Sequence, residues 1–339
     1  MRTGIVAHGA YVPPHRVEME EIRRFWGTLG APAIREKAFP GYDEDVITMG
    51  VVAARTALER SGMAGEEMGA VFLATTSGPY EEKPNVSTLC SALSGSGSLR
   101  AVEMGGSPRA GSLALLSGLE FSICYNRPAL VVASDAPMAH PSSALEHGLG
   151  AGAVAFVISQ DERATILESA QSQSLETFGE RFRRRGERFL RDLELRQDEL
   201  SGCVLETVGR LLGTLGVVVG DFQAVVLPDP DGATPARLGK RLGVAQERLV
   251  SVTPRIGDAG AAGVLLGLVL ALERLSSGQR VMVASYGSGT DAMSWVVGES
   301  SLSYRCLGRS LEEILSSAEH RSYADYLKMR GFLSLRPNH

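Results

Sequence analysis

The stretch Glu103-Met104-Gly105-Gly106-Ser107-Pro108-Arg109-Ala110-Gly111-Ser112 decides the fold. A glycine-containing turn with a proline suited to the first turn of a helix runs straight into residues 110–124, which are apolar nearly all round. A helix without a polar face has to be buried. Residues 259–275, rich in Gly, Ala and Leu, repeat the pattern after a second glycine turn, Ile256-Gly257-Asp258-Ala259-Gly260. One buried helix in each half implies two similar halves stacked in layers, with both helices in the middle layer.

The rest of the chain fits that frame. Short apolar runs at 4–8, 70–75, 128–134 and 151–158 read as strands of the first half, and 165–169, 224–227, 280–285 and 293–297 as strands of the second. Near-continuous apolar strands suit a sheet covered on both faces. Helices are expected at 45–61, stopped by Gly62, at 198–213, and at 235–242 with Pro235 in its first position. The 45–61 helix carries Val46, Met49, Val52, Ala53 and Leu58 on one stripe. This divides the chain into a first half, 1–164, a second half, 165–300, and a helical tail, 301–339. In the tail Ser310 and Glu313 make a capping box. With no strand partner expected for it, the tail reads as a docking appendage whose anchors are Tyr323, Tyr326, Leu327 and Phe332.

With 44% hydrophobic and 22% charged residues in 339, and a net charge of −5, the chain is an ordinary globular protein without a nucleic-acid surface. The longest apolar stretch, 263–272, is too short to cross a bilayer. The N-terminus runs directly into a strand without a signal peptide, so a cytoplasmic, reduced protein is expected. Cys90, Cys124, Cys203 and Cys306 form no CxxC pair, which excludes a zinc knuckle and leaves no metal site. Cys90 and Cys124 are expected to be buried. His140 and His147 flank a loop–helix segment and are assigned solvent-facing or capping roles, though either could reach a pocket. Glu81 and Glu82 could approach a cleft.

Several segments in order resemble condensing enzymes of the thiolase superfamily, in the branch of 3-hydroxy-3-methylglutaryl-CoA synthases and ketoacyl-ACP synthase III. They are Gly4–Pro13, Tyr42–Gly50 running into Ala53–Ala57, Val132–Asp135, Ile256–Gly260 and Tyr286–Asp291. The resemblance spans about residues 4–297 and implies a five-layered α/β/α/β/α fold. It also implies a cysteine nucleophile at the N-terminus of the buried helix, where the dipole lowers a thiol pKa and backbone N–H groups face an oxyanion. A histidine and an asparagine would polarise the second substrate, and an acidic residue would move protons.

None of the four stands where the motifs place it. Aligning Ala110-Gly111-Ser112 with the family's Ala-Gly-Thr puts Pro108 at the cysteine position. Pro228 in Pro228-Asp-Pro-Asp-Gly232 replaces the histidine, Asp258 the asparagine, and Thr76 the acidic residue. The charge of Asp258 would repel an oxyanion unless it were protonated. Ser107 and Arg109 are possible substitutes, with an N-cap role the expectation for Ser107. Gly287, Ser288 and Gly289, which lack the Gly-Lys-Ser/Thr of a phosphate loop, should pack beneath the site. Together with Arg184 and Lys240 they are the substrate-binding candidates. The run Arg181–Arg185 is either a solvated helix face or a clamp for a phosphate-bearing ligand such as CoA.

The resemblance therefore implies a catalytically degenerate subunit of an acyl-CoA condensing or acyltransferase complex. Relatives of this kind assemble with a thiolase-like subunit and a small zinc-ribbon/OB-fold protein. No cofactor is expected beyond an acyl-CoA ligand. A homodimer or hetero-oligomer is expected, with residues 85–95 and the 128–134 strand at the two-fold interface. Two alternatives stay open: an active acyltransferase using Ser107, Arg109 or Asp258, and a structural or regulatory dimer that binds no acyl ligand.

Overall fold

The structure is a computed structural model, described over residues 2–27, 30–94, 98–177, 180–192, 198–300 and 307–333. In chain order the elements are β1 (Thr3–Tyr11), β2 (His15–Glu18), α1 (Met19–Trp26), β3 (Glu36–Ala38), α2 (Val46–Ser61), β4 (Ala70–Ala74), α3 (Asn85–Ser94), β5 (Arg100–Met104), α4 (Ala110–Tyr125), β6 (Ala129–Asp135), α5 (Ala144–Gly148) and β7 (Gly152–Gln160). Then follow β8 (Ile166–Ser174), α6 (Glu199–Leu215), β9 (Ala224–Val226), α7 (Thr234–Leu242), α8 (Thr253–Ile256), α9 (Gly263–Arg274), β10 (Arg280–Tyr286), β11 (Gly289–Val296), α10 (Leu311–Ser316), β12 (Glu319–His320) and α11 (Tyr323–Met329).

The first sheet has the order β1-β7-β6-β4-β5 and the second β8-β11-β10-β9. Both run antiparallel, antiparallel, parallel from their first strand, so the two halves repeat one topology. One apolar cluster joins α4 and α9 to the facing sides of both sheets. A second places α2 and α3 on the outer side of the first sheet, and a third places α6 and α7 on the outer side of the second. These are the five layers α/β/α/β/α. The mixed α/β thiolase-like fold was legible because β4 and β6 are buried along their whole length, as strands covered on both faces must be.

Local rules set the helix ends. Asp45 caps α2, accepting from the Ile47 and Thr48 N–H groups at 2.9 and 2.8 Å, while Gly62 stops it in the left-handed region at φ +70°. The 259–275 segment is a 3-10 turn, Gly260–Ala262, running into α9.

Some expectations are corrected. β6, the 128–134 strand expected at a two-fold interface as an apolar edge, lies inside its sheet between β7 and β4, and β5 stands at that end of the sheet. Helix α4 does not bury its whole circumference: Leu113, Ile123, Cys124 and Tyr125 are exposed, so Cys124 is not core. Val52 is likewise exposed and leaves the buried stripe of α2. The tail has a strand partner, because β12 pairs parallel with β2 in a small sheet with β3. Its anchors are covered by its own chain: Tyr323, Tyr326 and Leu327 bury against Val17, Ile22, Ile34 and Phe39, and Leu311 and Leu315 join the central core. The Ser310–Glu313 capping box forms as expected. Cys306 lies outside the described residues. No helix among the described residues is long and apolar enough to cross a membrane.

Candidate functional site

Where the N-terminal turns of α4 and α9 meet the ends of β9 and β10, a cavity of about 260 Å³ opens. Pro108, Pro228, Asp258 and Gly287 line it, so the structure brings together three of the four positions singled out as substituted. The fourth, Thr76, is elsewhere. Its hydroxyl donates to Asp135 Oδ2 at 2.7 Å, and its N–H lies 3.2 Å from both carboxylate oxygens. Asp135, fully buried at the end of β6, also accepts from the Ser77 hydroxyl and from the Ala261 N–H at 3.0 Å. This one carboxylate ties the loop after β4 to the turn that opens α9. Residue-type reading missed it because the sequence shows only an aspartate ending an apolar run.

Arg109 is not a cavity group. Its guanidinium forks onto buried Asp291, Nε to Oδ2 at 2.9 Å and Nη2 to Oδ1 at 2.8 Å. Ser112 and Ser172 each donate to the same carboxylate at 2.7 Å. The pair fastens the start of α4 to β11 of the other half. Ser107 is not an N-cap, since α4 has no side-chain cap; its hydroxyl donates to Gly287 O at 3.4 Å. The close packing expected of Gly287 is real, because a Cβ there would stand 2.5 Å from Ser107 Oγ. Ser288 and Gly289 do not line the cavity themselves, but Ser288 donates its hydroxyl to Glu180, which does, at 3.0 Å.

The arginine run is not a helix. Phe182 and Arg191 pair across a hairpin with N–H···O distances of 2.7 and 2.8 Å, and Gly186 turns it at φ +79°. Arg183 donates to Thr76 O at 3.0 Å and Arg188 to Arg330 O at 2.7 Å. Arg184 projects into solvent at the hairpin turn, and Lys240 is exposed on α7; neither lines the cavity. Glu81 holds the hairpin tip through the Gly186 N–H at 2.9 Å, and Glu82 is exposed.

Arg181 is the residue of this run that reaches the cavity. It donates through Nη1 to Asp258 Oδ2 at 2.6 Å, while Asp258 Oδ1 accepts the Gly260 N–H at 2.9 Å. The Asp258 charge is therefore countered, which its sequence position did not suggest. Sequence reasoning also passed over Asp229, between the two prolines of its loop. Its carboxylate accepts from the Ser251 hydroxyl at 2.5 Å and the Gly232 N–H at 2.7 Å. Burial, with smaller repulsion from Asp231 and Asp258, outweighs those hydrogen bonds and pushes its pKa up to about 6. Burial also holds the Tyr286 hydroxyl above the ordinary phenol range, helped by the Glu180 and Glu199 charges.

Among the described residues no thiol and no imidazole borders the cavity. Cys90 is buried on α3, where burial raises its pKa, and Cys203 sits on α6 against the Thr290 hydroxyl at 3.2 Å. His147 is buried rather than solvent-facing, its Nδ1 accepting the Gly30 N–H at 3.0 Å, and burial lowers its pKa. His140 is exposed. The described residues contain no cluster suited to a metal ion.

No family model matches the chain. The hydroxymethylglutaryl-CoA synthase of Aeropyrum pernix is 34% identical over 352 residues, spanning 98% of this chain and 95% of its own. The chain belongs to the hydroxymethylglutaryl-CoA synthase family. Solved structures agree on the fold. A hydroxymethylglutaryl-CoA synthase complexed with CoA superposes with a TM-score of 0.85 at 20% identity, over 97% of this chain and 90% of that one. The 3-oxoacyl-(acyl carrier protein) synthase III of Pseudomonas aeruginosa does so at 0.76 and 19% identity, over 88% and 98%. Within this hydroxymethylglutaryl-CoA synthase-family chain, the cavity joins the two halves at the ends of both middle-layer helices.

Proposed function

We propose that this member of the family is a catalytically degenerate subunit that holds an acyl-CoA ligand without forming a cysteine acyl-enzyme. It works inside an acyl-CoA condensing or acyltransferase complex, in which a thiolase-like partner supplies the nucleophile and a small zinc-ribbon/OB-fold protein completes the assembly. The observation that carries this reading is Pro108 in the cavity at the opening turn of α4, with no thiol or imidazole beside it among the described residues. Thioester exchange needs an activated nucleophile and a base within hydrogen-bond reach. The open β5 edge and the exposed Leu113 and Ile123 of α4 support assembly with another chain, whether a second copy or a thiolase-like partner. Incubation with acetyl-CoA or acetoacetyl-CoA followed by intact-mass spectrometry tests the proposal. The mass stays unchanged; a stoichiometric adduct on Ser107 or Cys90 would end it.

One observation favours a second reading, acyl transfer by a non-standard site. Asp229, with its pKa near 6, has the proton affinity of a general acid or base and lines the same cavity as Asp258. Of the three substitutes considered from sequence, Asp258 alone borders the cavity, Arg109 and Ser107 being engaged with Asp291 and Gly287. An acyl-transfer assay of Asp229→Asn and Asp258→Asn separates the two readings.

A further inference from the structure

None of residues 323–332 lines the cavity, yet the tail holds two of the segments that do. The first is α5, whose Leu145 is in the wall. Beside it the buried Glu146 meets Lys37 Nζ at 2.8 Å and accepts from the Tyr323 hydroxyl at 3.3 Å. The chain leaving α5 takes both backbone groups of Asp258: Gly148 O accepts its N–H at 2.8 Å, and the Gly150 N–H donates to its carbonyl at 2.8 Å. The second segment is the hairpin, whose Arg181 holds the Asp258 carboxylate at 2.6 Å. On its returning strand Arg188 donates to Arg330 O at 2.7 Å. The Arg188 guanidinium also lies 5.3 Å from the ring centres of Phe189 and Phe332, which stack at 5.7 Å.

Arg330 joins these contacts to the first half. Its Nη2 donates to Ala136 O at 2.9 Å, giving a partner to a buried carbonyl just beyond Asp135. Its own carbonyl receives Arg188. A two-stranded hairpin is marginal by itself, and its cross-strand rungs, Phe182 with Arg191, hold it together without fixing where it lies. Its place is set by what it docks on: Thr76 O and Glu81 near the tip, Met138 O through the Leu190 N–H at 2.8 Å, and the stretch from Arg330 to Phe332 on the returning side.

We propose that Arg330 is a positioning residue for the cavity: braced on Ala136, it keeps the hairpin where Arg181 meets Asp258. The Asp258 backbone is fixed by the exit of α5 whatever the hairpin does, so the contact between Arg181 and Asp258 depends on where the hairpin lies. Arg330 acts on that pair through Arg188. The tail is thereby part of the candidate site rather than an appendage to it. The inference goes beyond the proposed function and holds for any ligand the cavity takes, in a site that reacts or one that does not.

Hydrogen exchange of the full chain, resolved to single amides and run without ligand, tests this. The Phe182 N–H, next to Arg181 in sequence and bonded to Arg191 O at 2.7 Å, reports the cavity end of the hairpin. Arg330→Ala should speed its exchange by at least about tenfold, the scale of one lost hydrogen bond from a charged donor. Amides of β4 and β6 should keep their rates. Arg188→Ala breaks the same link from the hairpin side, leaves Arg330 on Ala136, and should give the same result; it decides the question if Arg330→Ala loosens β4 and β6 as well. Asp258→Asn weakens the far anchor of the hairpin and should speed the same amide from the cavity side. Faster exchange confined to Leu190 and Arg191, with Phe182 unchanged, would place the effect of Arg330 at the tail alone and overturn the inference. So would a Phe182 rate in Arg188→Ala or Asp258→Asn equal to that of the unaltered protein.

Discussion

Replacing Asp291 by alanine tests what bolts the two halves together at the site. Asp291 has no solvent exposure and accepts four hydrogen bonds, two from Arg109 at 2.8 and 2.9 Å and one each from Ser112 and Ser172 at 2.7 Å. Asp291→Ala leaves the guanidinium buried with one long contact, to Ser288 O at 3.4 Å. Stranding one partner of a buried ion pair costs about 3–5 kcal/mol. For 339 residues, an unfolding entropy of about 0.7 kcal/mol/K near the midpoint converts this to a fall of about 4–7 °C. Melting followed by circular dichroism at neutral pH reads it. The double variant Arg109→Met with Asp291→Leu removes the stranded charge as well as its partner, and should recover at least half of the loss. A fall below about 2 °C for Asp291→Ala, or a double variant worse than the single, would refute the view that the cost lies in an uncompensated buried charge.

Pro108→Cys alone should not restore condensation of acetyl-CoA with acetoacetyl-CoA: a missing base and a missing oxyanion donor each cost about 10²–10³-fold, so turnover should stay at least about 10⁴-fold below a complete site. Robust turnover in a steady-state assay would show that another residue supplies the base. Asp229 should lower stability as pH rises: its pKa moves from an ordinary 3.8 to about 6 on folding, so the unfolded chain releases the proton first. The stability from this group is full below about pH 3.8 and lost as pH passes about 6, by at most about 3 kcal/mol. The melting temperature of Asp229→Asn relative to the unaltered protein should therefore climb between pH 4 and 7, and a flat difference would contradict the assigned pKa. Tyr326→Ala should destabilise the isolated protein by about 3–5 kcal/mol, because this buried ring packs against Phe39 and its hydroxyl meets Lys37 Nζ at 3.2 Å. Urea unfolding measures it, and a loss under about 1 kcal/mol would return the tail to the role of a partner-docking arm.

The sequence alone determined the layers, since strands apolar end to end, such as β4 and β6, have no stable place except between other layers; 110–124 and 259–275 pointed the same way, although α4 leaves Leu113, Ile123 and Tyr125 exposed. The resemblance to the family's motifs singled out Pro108, Pro228 and Asp258, and the structure brings these three to one cavity. The pairing of side chains far apart in the chain could not be read this way. Arg109 finds Asp291 across 182 residues, and Arg181 finds Asp258 across 77. An arginine in a turn looks the same in sequence whether it faces a ligand, water or a buried carboxylate. The short strands β2, β3 and β12 carry too few residues for a period-2 pattern, so the tail's true partner stayed hidden until tertiary contact buried Tyr323 and Tyr326 against the lobe near the N-terminus. The setting of Asp229 likewise exists only in three dimensions: burial in the cavity wall, with smaller repulsion from Asp231 and Asp258, raises its pKa, and no local sequence pattern announces that burial.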